Sequence, residues 1–331
     1  MAKPLWMWGV FFFIVLVLLV LDLGVLHRRQ RAIGARESML LSAGYITIGV
    51  LFGGWVWLQL GALSGKEYLT GFLVEKTLAL DNIFVISLIF SFFAIPKQYQ
   101  HRVLFWGLMG VVVLRGIMIG LGAAIIARFS WVLYLFAAFL ILTGIKMLWS
   151  MDTKFDIANS RFLALVRRVL PVTPALHGPQ FTVRLPAPEA PGSTRRHATP
   201  LLVALLLIEF VDIIFAVDSI PAVFAITTDP FVVYTSNIFA ILGLRALYFA
   251  LDAVIHRFAY LKYALAMVLI FIGGKVFVAD LVGLEKFPAS VSLLVTLGLL
   301  IGGVLYSIVM TRTPAAEPAR LGTRPGRVQR P

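Results

Sequence analysis

Apolar residues in this chain do not alternate with polar ones in the rhythm of a half-buried helix or strand. They come in blocks of about 20, the length at which a helix crosses the ~30 Å hydrocarbon layer of a bilayer. Such blocks run over 5–26, 39–63, 69–95, 103–127, 130–150, 200–226, 231–254, 263–279 and 289–310. The pattern predicts an all-α polytopic membrane protein with about nine transmembrane helices. The first block is followed by His27-Arg28-Arg29-Gln30-Arg31 and by no small-residue cleavage pattern, so it reads as a retained helix and not a signal peptide.

The polar connections fix an expected orientation. With the N-terminus outside, the segments 27–38, 96–102, 151–199, 255–262 and 311–331 are cytoplasmic and carry 20 Lys and Arg residues, whereas the opposite side carries Lys3, Lys66, Arg128 and Lys286. The positive-inside rule therefore selects N-out, C-in. Much of the formal net charge of +13 is topology signal, which excludes nucleic acid as the expected partner. The one long connection, 151–199, is basic and Pro-rich, with an apolar stretch Phe162-Leu163-Ala164-Leu165-Val166 before Arg167-Arg168. It reads as a cytoplasmic loop with a short amphipathic helix on the membrane surface, and it offers a face to protein partners. Residues 311–331 read as a disordered tail.

Self-comparison exposes a repeat. The stretch Val74-Glu75-Lys76-Thr77-Leu78-Ala79-Leu80-Asp81-Asn82-Ile83 aligns without a gap on Val211-Asp212-Ile213-Ile214-Phe215-Ala216-Val217-Asp218-Ser219-Ile220. Further on, Arg115 matches Arg245, and Gly144-Ile145-Lys146 matches Gly273-Gly274-Lys275. Each unit has three spans, an odd number, so the second enters the bilayer from the opposite side. Two inverted three-helix repeats of this kind build secondary transporters, with the substrate site at the midplane between them. The expected organisation is two N-terminal helices in 1–66, repeat 1 in 67–150, the loop 151–199, repeat 2 in 200–282, a last helix in 283–310 and the tail.

Carboxylates inside apolar spans mark candidate chemistry, because a charge at the centre of a membrane helix costs ~3 kcal/mol even on the lenient insertion scale. Asp22 and Asp252 lie near cytoplasmic ends, where interfacial water suffices. Glu75, Asp81, Asp212 and Asp218 lie deep in the third and sixth spans, with Glu209 one turn before Asp212. In a straight helix Glu75 shares a face with Asn82, and Asp212 with Ser219, while a separation of six residues turns Asp81 and Asp218 about 120° away. Pro221 predicts a kink or unwound turn that would add carbonyl oxygens to the site. The sequence contains no Cys, and its five His lie outside the spans or at their ends. What remains is an all-oxygen set suited to a hard divalent cation such as Mn²⁺, Mg²⁺ or Ca²⁺. The competing reading is a structural ion-pair network with Arg115, Arg245, Lys76, Lys146 and Lys275. Both hold together if Arg115, Arg245, Lys146 and Lys275 balance the charge of the site when it is empty.

The residues also resemble the TerC family of bacterial membrane proteins, named for tellurium resistance, and its Alx-like branch. The resemblance is carried by Glu75 to Asn82, by Leu170-Pro171-Val172-Thr173 with His177-Gly178, and by Glu209 through Ala222, Thr227 to Pro230 and Tyr234-Thr235-Ser236-Asn237. It implies metal-ion homeostasis at the bacterial plasma (inner) membrane, with Mn²⁺ export as the activity, and a distant relation to exporters of the LysE type. The expected function is thus a divalent-cation transporter working by alternating access, with proton coupling as a further expectation. Its metal ligands are expected among Glu75, Asp81, Asn82, Glu209, Asp212, Asp218 and Ser219, with no cofactor and no enzymatic activity. The alternatives are a non-transporting scaffold in metal or tellurite stress and a LysE-type amino-acid exporter.

Overall fold

The computed structural model describes residues 3–27, 35–149, 157, 160–186, 194–251, 260–284 and 287–312. Ten helices and two short strands follow in chain order: α1 (Leu5–His27), α2 (Ala35–Phe92), α3 (Lys97–Arg128), α4 (Val132–Trp149), α5 (Arg161–Val169), β1 (Thr182–Pro186), β2 (Thr194–Ala198), α6 (Pro200–Phe224), α7 (Pro230–Ile241), α8 (Leu244–Leu251), α9 (Leu261–Leu281) and α10 (Ala289–Arg312). Among the described residues seven apolar segments are long enough to cross a bilayer, with α7 and α8 together forming one of them, and the Leu5–Leu21 part of α1 is a shorter apolar helix. The chain is a polytopic helical membrane protein. Side chains such as Leu58, Leu142 and Leu294 face outward from these helices. In water they would form a very large apolar surface; acyl chains cover them without cost.

At 58 residues, α2 would be ~87 Å long if straight, far beyond a bilayer. It is not straight. Gly61 adopts φ 87°, ψ 171°, a region open chiefly to glycine, and divides α2 into two limbs. The first limb packs with α1 and α7 through rings, among them Phe52 and Phe239 at 4.5 Å and Trp8 and Phe231 at 5.0 Å. The second limb carries Glu75, Lys76 and Asn82 into the centre of the bundle.

Helices α4 and α9 approach closely, and their contact is reciprocal. A Cβ on Gly144 would lie 2.8 Å from the Ala266 carbonyl oxygen and against Ile270; one on Gly273 would lie 2.5 Å from the Ala137 carbonyl oxygen and against Ile141. Each glycine thus meets the residues seven and three before the other. Small residues at such points let two backbones approach in a membrane, where close packing is the main source of helix association.

Two expectations are corrected. Pro221 neither breaks nor unwinds α6, which runs through it to Phe224; the helix absorbs the one donor that the proline withholds from the Val217 carbonyl. The break falls instead between α7 and α8, at Leu242 (φ −54°, ψ 132°) and Gly243 (φ 82°). The α7–α8 segment is also the most enclosed of the apolar segments.

The connection 151–199 is more built than expected. The amphipathic α5 is present, with Leu163 and Val166 buried, Arg167 and Arg168 exposed, and Phe162 stacked on Phe210 of α6 at 4.1 Å. An antiparallel hairpin, β1 with β2, follows it, so the chain is not purely α. Asp252, Lys286 and the tail 313–331 lie outside the described residues, as do the side chains of Asp22 and Asp81.

Candidate functional site

The centre of the bundle holds one guanidinium and two carboxylates from three helices. Arg115 of α3 is 1% exposed, and no bilayer-buried charge of that size persists without partners. Its Nε and Nη2 donate to Asp212 Oδ2 and Oδ1 of α6 at 3.3 and 3.0 Å, a bidentate fork. Its Nη1 donates to Glu75 Oε1 of α2, to Ser219 Oγ of α6 at 3.1 Å and to Asn237 Oδ1 of α7 at 3.4 Å. Asn82 Nδ2 completes the ring by donating to Asp212 Oδ1 at 3.2 Å. The faces are those that helical geometry dictates: residues seven apart, Glu75 with Asn82 and Asp212 with Ser219, project together.

Not every oxygen is engaged. Among the described residues Glu75 Oε2, Asn82 Oδ1 and Glu209 Oε2 are buried without a hydrogen-bond donor. Buried polar atoms are normally paired, so these three oxygens call for a positive partner. Glu209 lies one turn before Asp212 and presses its carboxylate against α3, where a Cβ on Gly110 would collide with both of its oxygens. Two carboxylates against Arg115 leave one formal negative charge, and Glu209 adds a second. A cleft of about 20 Å³ lined by Asn82, Gly107, Val211, Asp212 and Leu244 touches the cluster, room for a single water.

Asp218 stands apart. It faces α4, where Thr143 Oγ1 donates to its Oδ1 at 3.3 Å and the exposed Lys146 lies within its field. The rotation of about 120° expected for a six-residue separation is what carries it off the central face. Lys275 of α9 is also elsewhere: its Nζ donates to Ser292 Oγ of α10 at 2.9 Å, and it borders a cavity of about 300 Å³ together with Glu67, Thr70, Tyr134, Thr227 and Ser292. Arg245 is buried on α8 just after the break, with His101 of α3 in its field. Of the four expected charge-balancing residues, Arg115 is the one that joins Glu75 to Asp212, and no cluster of three or more His, Cys, Asp or Glu suited to a metal is found among the described residues.

Asn237 is the participant that motif reading missed. A signal for it existed, since Thr235-Ser236-Asn237 is a polar run inside an apolar span, and all three are fully buried. Thr235 and Ser236 satisfy themselves on carbonyls of their own helix, leaving Asn237 to reach across.

Comparison with known proteins places this architecture. The model of the integral membrane protein TerC family matches residues 60–315, which include every member of the cluster. The chain belongs to the TerC family. TerC relatives cover nearly its whole length. A membrane protein of Rickettsia bellii is 48% identical over 302 residues, 91% of this chain and 97% of the relative. One of Myxococcus xanthus is 45% identical over 307 residues, 92% and 93% of the two chains. The Escherichia coli protein named putative membrane-bound redox modulator Alx is 41% identical over 304 residues, 89% and 92% of the two chains. No solved structure matches the chain.

Proposed function

We propose that this TerC protein is a divalent-cation transporter of the bacterial inner membrane that exports Mn²⁺ by alternating access of two inverted repeats, with proton coupling as an added step. The observation that carries the reading is the buried pair Glu75 and Asp212, one from each proposed repeat, bridged by Arg115 and surrounded by oxygen donors still lacking a partner. In this reading Arg115 holds the carboxylates in the empty state, and an entering cation competes for them. Glu75, Asp212, Asn82 and Ser219 are the central ligands, Glu209 receives the ion from the cytoplasmic side, and Asp81 and Asp218 act on the path flanking them. Hard oxygen ligands suit Mn²⁺ and its neighbours better than soft metals, and the sequence offers no thiolate. No enzymatic step and no cofactor are assigned.

The reciprocal Gly144 and Gly273 contact supports the inverted repeat, as a two-fold axis between the units would bring equivalent surfaces together. The separate limbs of α2, the apolar α1 and the joined α7–α8 support nine crossings. With the N-terminus outside, the cavity bordered by Glu67 and Thr227 lies on the outer side of Asp212 and the smaller cleft on the inner side, one approach for each phase of the cycle.

The test is Mn²⁺ flux into proteoliposomes holding wild type, Glu75→Gln or Asp212→Asn, each checked for a folded thermal transition. Loss of flux in both variants is expected; wild-type rates in both would overturn the central-site assignment, and a silent wild type across several divalent ions and an imposed pH gradient would overturn transport. A second reading, a scaffold that acts through partners, draws on the folded cytoplasmic segment formed by α5 and the β1–β2 hairpin, with Arg184, Arg195 and Arg196 on its strands. Deleting residues 182–198 separates the two: a transporter keeps flux, a scaffold loses its cellular phenotype. The redox term in the names of some relatives enters here only through metal supply, because this chain has no thiol to exchange.

A further inference from the structure

Two departures from the repeat face each other. In the gap-free alignment Lys76 of the first unit stands opposite Ile213 of the second, and the continuous α3 stands opposite the interrupted pair α7 and α8. The structure brings these unmatched features together: Lys76 Nζ donates to the Ala240 carbonyl at 2.9 Å and to the Leu242 carbonyl at 3.4 Å, the oxygens that the interruption exposes.

The last carbonyls of a helix lack intrahelical donors and carry the negative end of its dipole. Where a membrane helix is unwound, such carbonyls are the usual ligands of a bound monovalent cation. Lys76 extends from the face of α2 next to Glu75, yet among the described side chains no carboxylate pairs with it; its ammonium rests on backbone oxygens. The break is also fixed in place. Gly243 has a positive φ, and a Cβ there would lie 2.6 Å from Cβ and Cγ of Tyr45 on the first limb of α2, so the chain turns where only glycine fits against that limb.

We propose that the Leu242–Gly243 interruption is a monovalent-cation site whose resident cation is the Lys76 ammonium, tethered by its own side chain. An alkali-metal ion, Na⁺ or K⁺, is the ligand class that fits the same carbonyl oxygens once the ammonium is removed. In the intact protein the site is filled from within, so the α7–α8 break holds its shape without drawing on the sodium gradient. The assignment goes beyond divalent-cation transport and stands without it.

Thermal unfolding of the full-length protein in detergent tests this directly. Lys76→Ala and Lys76→Met are compared with wild type and Lys76→Arg in NaCl, KCl and choline chloride at matched ionic strength. The two neutral variants are expected to unfold at a midpoint that climbs with the logarithm of Na⁺ or K⁺ concentration and not with choline, as ligand linkage requires. Wild type and Lys76→Arg are expected to show no difference among the three salts. Equal midpoints in all salts for the neutral variants would overturn the proposal. So would failure of both to fold in any salt, because an alkali ion would then not replace the ammonium, and so would an alkali-specific rise in wild type. None of these readings depends on flux, so manganese export and the cation site stand or fall separately.

Discussion

Replacing Arg115 by Met keeps an unbranched apolar stem of similar reach and removes the guanidinium that Glu75 and Asp212 share. Both carboxylates are buried, at 0% and 6% exposure, so neither finds water when its partner is lost. Removing one side of a buried ion pair costs about 3–5 kcal/mol. With unfolding entropy of ~2.1 cal/mol/K per residue, that range over this chain corresponds to a fall in the thermal midpoint of about 4–7 °C. The design includes its own control, because Glu75→Gln and Asp212→Asn added to Arg115→Met remove the stranded charges, and the triple variant is expected to regain more than half of the loss. Tryptophan fluorescence during a detergent melt reads all of these states. Mn²⁺ supplies the decisive addition: if the carboxylates form a cation site, the ion raises the midpoint of Arg115→Met and leaves that of the triple variant unchanged. A midpoint for Arg115→Met within about 1 °C of wild type would refute the reasoning. A triple variant no more stable than the single one would refute it equally, since stranded charge would then not be the cause.

Three further outcomes follow from local geometry. Gly110→Ala places a methyl group on the Glu209 carboxylate and is expected to abolish or sharply reduce Mn²⁺ flux, whereas Gly107→Ala, whose nearest neighbour would be 3.6 Å away, keeps it; equal fluxes would remove Glu209 from the path. Gly144→Ala and Gly273→Ala each drive a methyl into a facing backbone carbonyl and are expected to destabilise by about 1–3 kcal/mol, while Gly274→Ala, with open space around it, is neutral, all measured as detergent melts. Asp218→Asn keeps an oxygen for the Thr143 hydroxyl and leaves the Arg115 cluster untouched, so its melting midpoint is expected to stay near wild type while that of Asp212→Asn falls; the reverse order would show that the ion pair does not lie where the protein is most sensitive.

Much of this architecture was legible because the bilayer simplifies the physics. A run of apolar residues long enough to span can satisfy its backbone only as a helix, so element type followed from length. The carboxylates were legible for the same reason, since nothing but function or pairing keeps a charge in hydrocarbon. Their division was legible too: seven-residue spacing put Glu75 with Asn82 and Asp212 with Ser219, and six-residue spacing sent Asp218 to another face, where Thr143 receives it. What spacing could not supply was the partner. Arg115 lies 40 residues from Glu75 and 97 from Asp212 along the chain, and which of several buried cations would meet them depends on helix packing.

The interrupted helix was missed for an instructive reason. Proline marks a break because it lacks a donor and crowds the carbonyl four residues back, yet α6 stays helical through Pro221 as far as Phe224. The break at Gly243 has no such marker, because Gly-Leu-Arg looks like the Leu-Arg-Gly of the continuous α3, and glycine within a membrane helix more often signals close packing. Only three coincident conditions make it a break: positive φ at Gly243, Tyr45 against its face, and an ammonium to receive the exposed carbonyls. Two of the three lie on α2, far away in sequence. The local chain permits the interruption, and the distant helix packs against it; the same division applies to the central cluster, where α2 and α6 present the carboxylates and the guanidinium of α3 joins them.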